Sequence, residues 1–292
     1  MRTSTPGTSR AAGRWRIRLP RSRSRRVALA LCLLLVGVLG VGSVPGYLTF
    51  LRGPDNPPAE ACADGNTPGR PVVVAAGASM TQGTLGADWV GALRDRPEYR
   101  GHEVVNAGVN GSTSADLRQR VDSDIVACRP DAVVVLIGAN DVRGDVPPEE
   151  YRENLEAIVD RVSARTTARI ALMSLPPLGE DLDSELNRRL AGYNAVIEET
   201  ATGSGADYLP LHERMADLLR QRAGEPTPYA FSFPLAYVAA TKHYLLGRSW
   251  DEVARSHRLE LLVDHLHLSD RGGAIVTDLT AQWLSTGDGA SD

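Results

Sequence analysis

Short runs of β-branched and apolar residues alternate with segments of helical periodicity from residue 71 onward. The five runs begin at Pro71, Glu103, Asp131, Ala168 and Ala206. In the segments between them, apolar residues recur every three or four positions, as they do along one face of a helix. Strict alternation of this kind predicts a five-stranded parallel sheet that is covered by helices on both faces, which is an α/β fold.

Polar, glycine-rich loops follow several of these runs. Ligands bind beyond the carboxyl ends of the strands in a parallel α/β sheet, so these loops are the expected place for chemistry. The first three loops comprise residues 77–81, 106–111 and 138–141, and a fourth cluster, residues 264–267, precedes the last predicted helix. We expect the four clusters to converge on one edge of the sheet.

Ser79, His267 and Asp264 supply the parts of an activated serine nucleophile. A serine attacks an ester efficiently when a histidine takes its proton and a carboxylate fixes the tautomer of that histidine. The Asp-x-x-His spacing lets one turn present both side chains to the same side, with one ring nitrogen facing the carboxylate and the other facing the serine. We predict these three as catalytic residues, and we expect His265 to point elsewhere.

Acyl transfer also needs hydrogen-bond donors for the negative charge that develops on the carbonyl oxygen. The backbone amides of Ser79 and Gly108 and the side-chain amide of Asn140 come from three adjacent loops. Gly108 has no side chain to block the approach of a substrate. We therefore predict that Ser79, Gly108 and Asn140 form an oxyanion hole.

Other chemistries fit the sequence less well. It contains no Gly-x-Ser-x-Gly elbow, no Gly-x-Gly-x-x-Gly fingerprint and no P-loop. His265 and His267 lack the Cys or Glu partners of a zinc site, so neither a metal nor a cofactor is expected. All 36 acidic residues follow residue 26, and nine of the 32 basic residues lie within residues 1–26. The remaining chain therefore has an excess of acidic groups, which excludes a generally basic nucleic-acid binder.

The clusters resemble the conserved blocks of the SGNH/GDSL hydrolase family, which carry Ser, Gly, Asn and His. The resemblance covers residues 72–284. By this likeness, Ser79 corresponds to the nucleophile and Gly108 to the glycine of the second block. Asn140 corresponds to the asparagine of Gly-x-Asn-Asp, and Asp264 with His267 corresponds to the Asp-x-x-His pair.

The resemblance implies a flavodoxin-like three-layer α/β/α fold and the hydrolysis of esters, often of lipids or acetylated sugars, without a cofactor. Ala78 stands where the family has the Asp of Gly-Asp-Ser. This difference is expected to affect the tuning of the serine loop more than the chemistry, because that Asp is not a member of the catalytic triad. Asp141 is expected to support its loop. Two alternatives to a general esterase remain: an O-acetyl esterase or acetyltransferase acting on envelope polysaccharide, and an inactive binding module of the same fold.

An uncharged stretch over residues 27–51 follows the Arg-rich residues 1–26. A bilayer-spanning helix needs about 20 apolar residues, so we predict a membrane anchor over 27–51. The Arg-rich segment is expected to remain cytoplasmic, which places the rest of the chain outside the cytoplasm. The alternative is a cleaved signal peptide with a cleavage site near Gly42-Ser43 or at residues 59–61, which would give a secreted protein.

Residues 52–70 are rich in Pro, Gly, Asp and Asn and are predicted to link the anchor to a hydrolase-like domain over residues 71–286. Cys62 and Cys128 are the two cysteines of the exported part, where an oxidising environment allows them to pair. They precede the first and third strands, which are neighbours in a flavodoxin-like order. We predict a disulfide between them.

An aromatic segment over residues 224–258 has two interpretations. It could be a cap that lines an acyl or glycosyl pocket, or an additional helical pair that packs on the core. The partner expected for such a pocket is a small-molecule, lipid or glycan ester. The aromatic residues of the segment are Tyr229, Phe231, Phe233, Tyr237, Tyr244 and Trp250.

Overall fold

The computed structural model describes residues 23–63, 69–222 and 225–288. The chain divides into two units, Met1–Ser43 and Val44–Asp292. The second unit contains the sheet and the clusters that the sequence analysis singled out. Of the predicted Arg-rich segment, residues 1–22 lie outside the described residues.

Five parallel strands form one sheet in the order β2-β1-β3-β4-β5. This order is that of flavodoxin-like folds, and it confirms the predicted five-stranded parallel sheet. The strands are β1 (Val72–Gly77), β2 (Glu103–Gly108), β3 (Ala132–Leu136), β4 (Arg169–Met173) and β5 (Asp207–Leu209). Every residue of β1 and β3 is buried, because helices cover both faces of the sheet.

Helices connect the strands and cover the sheet. The described helices are α1 (Arg23–Gly46), α2 (Pro58–Ala61), α3 (Ser79–Gln82), α4 (Trp89–Arg94), α5 (Ser114–Gln119), α6 (Val121–Asp124), α7 (Ala139–Arg143), α8 (Pro148–Arg165), α9 (Glu185–Ser204), α10 (Leu211–Arg220), α11 (Phe233–Tyr244), α12 (Trp250–Ser256) and α13 (Asp270–Asp288). Short helices α3 and α7 begin directly after β1 and β3, so their first residues lie at the carboxyl edge of the sheet.

The predicted membrane anchor over residues 27–51 is not a single helix. Helix α1 ends at Gly46, and a turn of π-helix, Tyr47–Leu51, follows it. Thr49 in this turn is buried, and its carbonyl oxygen accepts hydrogen bonds from Thr84 Oγ1 at 2.8 Å and Asn110 Nδ2 at 3.1 Å. The end of the apolar stretch therefore packs within the second unit.

Among the residues that the structure describes, no helix combines the length and the hydropathy needed to cross a membrane.

The predicted linker over residues 52–70 also packs on the sheet where it is described. Asn56 Nδ2 donates to Glu103 Oε1 at 2.7 Å and to the carbonyl oxygen of Val104 at 2.8 Å. The amide of Asn106 donates in turn to the carbonyl oxygen of Asn56. These bonds attach the segment to β2. Residues 64–68 of the predicted linker lie outside the described residues.

The predicted disulfide between Cys62 and Cys128 is present, with the two Cα atoms 5.0 Å apart. It joins the segment before β1 to the segment before β3, and these strands are neighbours in the sheet. The bond closes a span of 66 residues in sequence.

Loss of this disulfide is expected to lower the free energy of unfolding. A cross-link over 66 residues restricts the unfolded chain, so replacing both cysteines with serine should cost about 3–4 kcal/mol, measured by urea denaturation. Thiol titration of the denatured wild-type protein should find one thiol per chain, that of Cys32, and Cys32→Ser serves as the control. Three thiols per chain, or equal stability of the double variant, would contradict the bond.

Candidate active site

Ser79 is the first residue of α3, at the point where β1 ends. Its amide is one of the first N–H groups of the helix, which have no partner within the helix. Arg120 fixes the adjacent strand ends, because its two terminal nitrogens donate to the carbonyl oxygens of Ala107 and Gly77 at 2.8 Å each. The serine hydroxyl therefore stands at a well-anchored edge of the sheet.

His267 and Asp264 reach Ser79 from the segment between α12 and α13. His267 Nε2 lies 3.0 Å from Ser79 Oγ, and His267 Nδ1 lies 2.8 Å from Asp264 Oδ2. The structure thus brings together the three residues that the sequence predicted as catalytic. The arrangement allows the histidine to accept the serine proton while the carboxylate orients the ring.

Asp264 is fully buried, yet it remains a carboxylate acceptor. Burial by itself would raise the pKa of Asp264. The charge and the hydrogen bond of His267, together with backbone N–H donation from His267 and Leu266, outweigh burial and hold the pKa of Asp264 below its ordinary value. The aspartate is therefore ionised when it faces His267.

Glu180, which the sequence analysis missed, holds the beginning of this segment. Its buried carboxylate accepts backbone N–H bonds from Glu260 at 2.8 Å, Leu261 at 2.7 Å and Leu262 at 3.2 Å. Arg222 Nη1 pairs with the same carboxylate at 2.5 Å. Burial raises the pKa of Glu180 despite these bonds. No local sequence signal marks this role, because the bonded residues lie about 80 positions away in the chain.

His265 does not take part in this set. Its backbone has a positive φ of 73°, and its ring packs edge-on against Tyr229 at a centroid distance of 6.4 Å. Within the described part of the chain, its buried Nδ1 atom has no hydrogen-bond partner. Burial lowers the pKa of His265, which favours the neutral ring.

Asn140 is held by hydrogen bonds at both atoms of its side-chain amide. Its Nδ2 donates to the carbonyl oxygen of Ser112 at 2.9 Å, and its Oδ1 accepts from Arg143 Nη1 at 3.0 Å. One Nδ2 hydrogen is left for another acceptor. The neighbouring Asp141 is buried and accepts hydrogen bonds from the amide and hydroxyl of Ser114, which supports the loop.

Gly108 is not available as the oxyanion donor that the sequence analysis predicted. It is the last residue of β2, and its N–H already donates to Asn106 Oδ1 at 3.0 Å. A Cβ atom at this position would lie 2.2 Å from the backbone nitrogen of Gln82. Gly108 is therefore required for the close packing of α3 on β2.

Gly111, three residues further on, lies at the pocket instead. It has a φ of +78°, which favours glycine, and it lines the same pocket as Ser79, Asn140 and His267. Among the described residues, no acceptor binds its N–H. The signal that could have found it is the Asn-Gly pair, which marks a turn beyond a strand, whereas Gly108 still belongs to the strand.

The pocket beside Ser79 is small, about 100 Å³. Phe231 and Phe233 of the aromatic segment line it, and the Phe231 ring lies 6.0 Å from the His267 ring. Phe50 also lines the pocket, with its ring 6.2 Å from that of Phe233. Trp250 is buried in the core instead, so the segment contributes residues both to the pocket and to the core. Residue 224 lies outside the described residues.

Comparisons with known proteins match the chain to a protein family. The family model of the GDSL-like lipase/acylhydrolase family matches residues 75–275. An acetylxylan esterase of Geobacillus stearothermophilus is 25% identical over 182 residues, which cover 58% of this chain and 81% of that protein. Esterase TesA of Pseudomonas aeruginosa is 29% identical over 136 residues, which cover 46% of this chain and 65% of TesA.

Solved structures of acetyl xylan esterases have a similar fold. The esterase AlAXEase superposes with a TM-score of 0.54 at 18% identity, over 72% of this chain and 98% of that chain. Axe2 of Geobacillus stearothermophilus superposes with a TM-score of 0.52 at 20% identity, over 73% of this chain and 93% of that chain. These similarities indicate a shared fold.

Replacing Asp264 with Asn should lower stability in a pH-dependent way. Because the folded-state pKa of Asp264 is depressed, its ionised form contributes stability above the ordinary pKa and loses it as the pH falls through the folded-state value. We expect the free energy of unfolding at pH 7 to fall by about 2 kcal/mol, with a smaller difference at pH 3.

Urea denaturation at both pH values measures this difference. Asp217→Asn is the control, because it removes the same charge from an exposed ion pair and should change little. An Asp264→Asn effect of the same size at pH 7 and pH 3 would contradict the ionised state.

Proposed function

The chain belongs to the GDSL-like lipase/acylhydrolase family and is an ester-hydrolysing serine hydrolase, and we propose that Ser79, His267 and Asp264 carry out its reaction. The observation that carries this proposal is the hydrogen-bonded series from Asp264 through His267 to Ser79, with distances of 2.8 and 3.0 Å. A nucleophile, its base and the group that orients the base are in contact before any substrate binds.

In the proposed reaction, Ser79 Oγ attacks the ester carbonyl carbon and His267 Nε2 takes its proton. The negative carbonyl oxygen of the tetrahedral intermediate lies among the N–H groups of Ser79, Gly111 and Asn140. Collapse of the intermediate expels the alcohol, which receives the proton from His267, and leaves an acyl-serine ester. His267 then deprotonates a water molecule, which attacks the acyl carbonyl carbon. Collapse of this second intermediate releases the carboxylic acid and Ser79, whose Oγ takes the proton back from His267, and Asp264 stabilises the imidazolium at both steps.

We propose that the acyl group is short, as in an acetyl ester. Ligand pockets for larger molecules measure about 300–1,000 Å³, whereas this pocket measures about 100 Å³. The similarity to acetylxylan esterases supports an acetylated carbohydrate as the class of substrate. An O-acetyl esterase is therefore the form of the function that the site favours.

We also propose that the catalytic unit works outside the cytoplasm. The nine Arg residues within residues 1–26 support this orientation, because basic segments are retained on the cytoplasmic side. The disulfide between Cys62 and Cys128 supports it as well, since such bonds persist in oxidising compartments. The thiol titration, carried out on protein isolated from its own cells, tests this location.

Ser79→Ala and His267→Ala should each abolish most turnover of an aryl acetate. A nucleophile and its base act as one unit, so the double variant should lose little more than either single variant. Steady-state kinetics measures turnover, and a fluorophosphonate probe measures labelling of Ser79 directly.

His265→Asn is the matched control for the histidine, because asparagine tolerates the positive φ at this position. It should retain turnover. Full activity of Ser79→Ala would refute the proposed nucleophile. Absence of fluorophosphonate labelling in the wild-type protein would favour an inactive binding module.

Phe231→Ala should shift the preference for acyl length. Removing the ring beside His267 enlarges the pocket, so kcat/KM for aryl hexanoate should rise about tenfold relative to aryl acetate. Tyr237→Ala is the control, since this aromatic residue of the same segment does not line the pocket. An equal loss on all esters with a lower melting temperature would show that Phe231 acts by packing alone.

A further inference from the structure

Arg143 brings a positive charge to the pocket of Ser79. It is the last residue of α7, three positions after Asn140. Arg143 and His267 are the ionisable side chains among the described residues that line the pocket. The chain after residue 26 has an excess of acidic groups, so the charge that Arg143 brings to the pocket is opposite in sign to the net charge of that part of the sequence.

Two contacts hold the guanidinium in place. Its central carbon lies 4.7 Å from the centroid of the Phe231 ring, in a cation–π arrangement. Its Nη1 donates to Asn140 Oδ1 at 3.0 Å. These contacts hold the charge beside the side-chain amide of Asn140.

No carboxylate neutralises this guanidinium within the described ranges of the chain. Asp141 is committed to Ser114, and Asp145 pairs with Arg189 at 2.6 Å. A partly buried cation without a counter-charge is costly, because it loses water without gaining a partner. The guanidinium has five N–H donors, more than its bond to Asn140 and its interaction with the nearby Tyr229 hydroxyl use.

We propose that Arg143 is a specificity-determining residue that selects esters with a carboxylate close to the scissile bond. The inference rests on the proposed esterase function of the same site. A planar guanidinium matches a carboxylate better than an ammonium does, because two parallel N–H bonds can form. The carboxylate belongs either to the alcohol, as in an acetylated acidic sugar, or to the acyl group, as in the half-ester of a dicarboxylic acid.

Two matched pairs of aryl esters test the proposal. The alcohol-side pair is 4-acetoxybenzoate and 4-acetoxybenzamide, and the acyl-side pair is phenyl hydrogen succinate and phenyl succinamate. In one pair, the wild-type protein should show a kcat/KM about tenfold higher for the charged ester than for the neutral one. The pair that shows this ratio identifies which side of the ester carries the carboxylate.

Arg143→Met should reduce this ratio to about one. The variant also releases Asn140, so turnover of every ester should fall, but the ratio within a pair cancels this general loss. Arg143→Lys keeps the charge without the planar fork and should restore part of the ratio. Arg161→Met is the matched control, because it removes one positive charge from an exposed pair with Asp122 and should leave the ratio unchanged.

Wild-type ratios near one in both pairs, or a ratio that survives Arg143→Met, would overturn the inference. Neutral-ester turnover that depends on Ser79 would leave the proposed function intact in that case. Neutral-ester turnover that persists in Ser79→Ala would instead refute the proposed function, so the two failures are distinguishable.

Discussion

Two buried carboxylates hold the segment that carries His267, and the geometry of the site depends on them. This segment, between α12 and α13, has no regular helix to position it. Glu180 binds the backbone amides at its start, and Asp264 binds those of Leu266 and His267. In a helix or strand, backbone carbonyl oxygens would accept hydrogen bonds from these N–H groups. Here side-chain carboxylates accept them instead, because a buried amide needs a hydrogen-bond partner. The histidine ring is thus fixed without the freedom of an ordinary loop.

The sheet was predictable because its strands are buried on both faces. A strand in that environment is a nearly continuous apolar run, and the alternation of such runs with helical periods predicts the order of elements directly. The position of Ser79 was predictable for a related reason, since polar residues directly after buried strands converge at one sheet edge. Asp264 and His267 follow no strand, and it was their Asp-x-x-His spacing that indicated a joint role. The disulfide followed from the adjacency of β1 and β3.

The remainder depends on contacts that sequence patterns do not encode. Gly108 still belongs to β2, whereas Gly111 lies beyond its end. The pairing of β2 with β1 determines where the strand ends, and the sequence does not show that pairing. Glu180 acts on residues far along the chain, so nothing near it in the sequence indicates its role. Hydropathy alone could not show that the helix in the stretch over residues 27–51 ends at Gly46 and that the turn after it packs within the second unit, because both parts of the stretch are apolar.

The turn at residues 47–51 belongs both to the predicted N-terminal leader and to the pocket beside Ser79. Thr49 and Phe50 form one wall of the pocket, and the Thr49 carbonyl oxygen binds Asn110, the neighbour of Gly111. A peptidase that cuts near Gly42-Ser43 would release a catalytic unit with this wall in place. A cut at residues 59–61 would remove the wall and leave the pocket open on that side. The same leader sequence would then determine, by its point of cleavage, which acyl groups the released enzyme accepts.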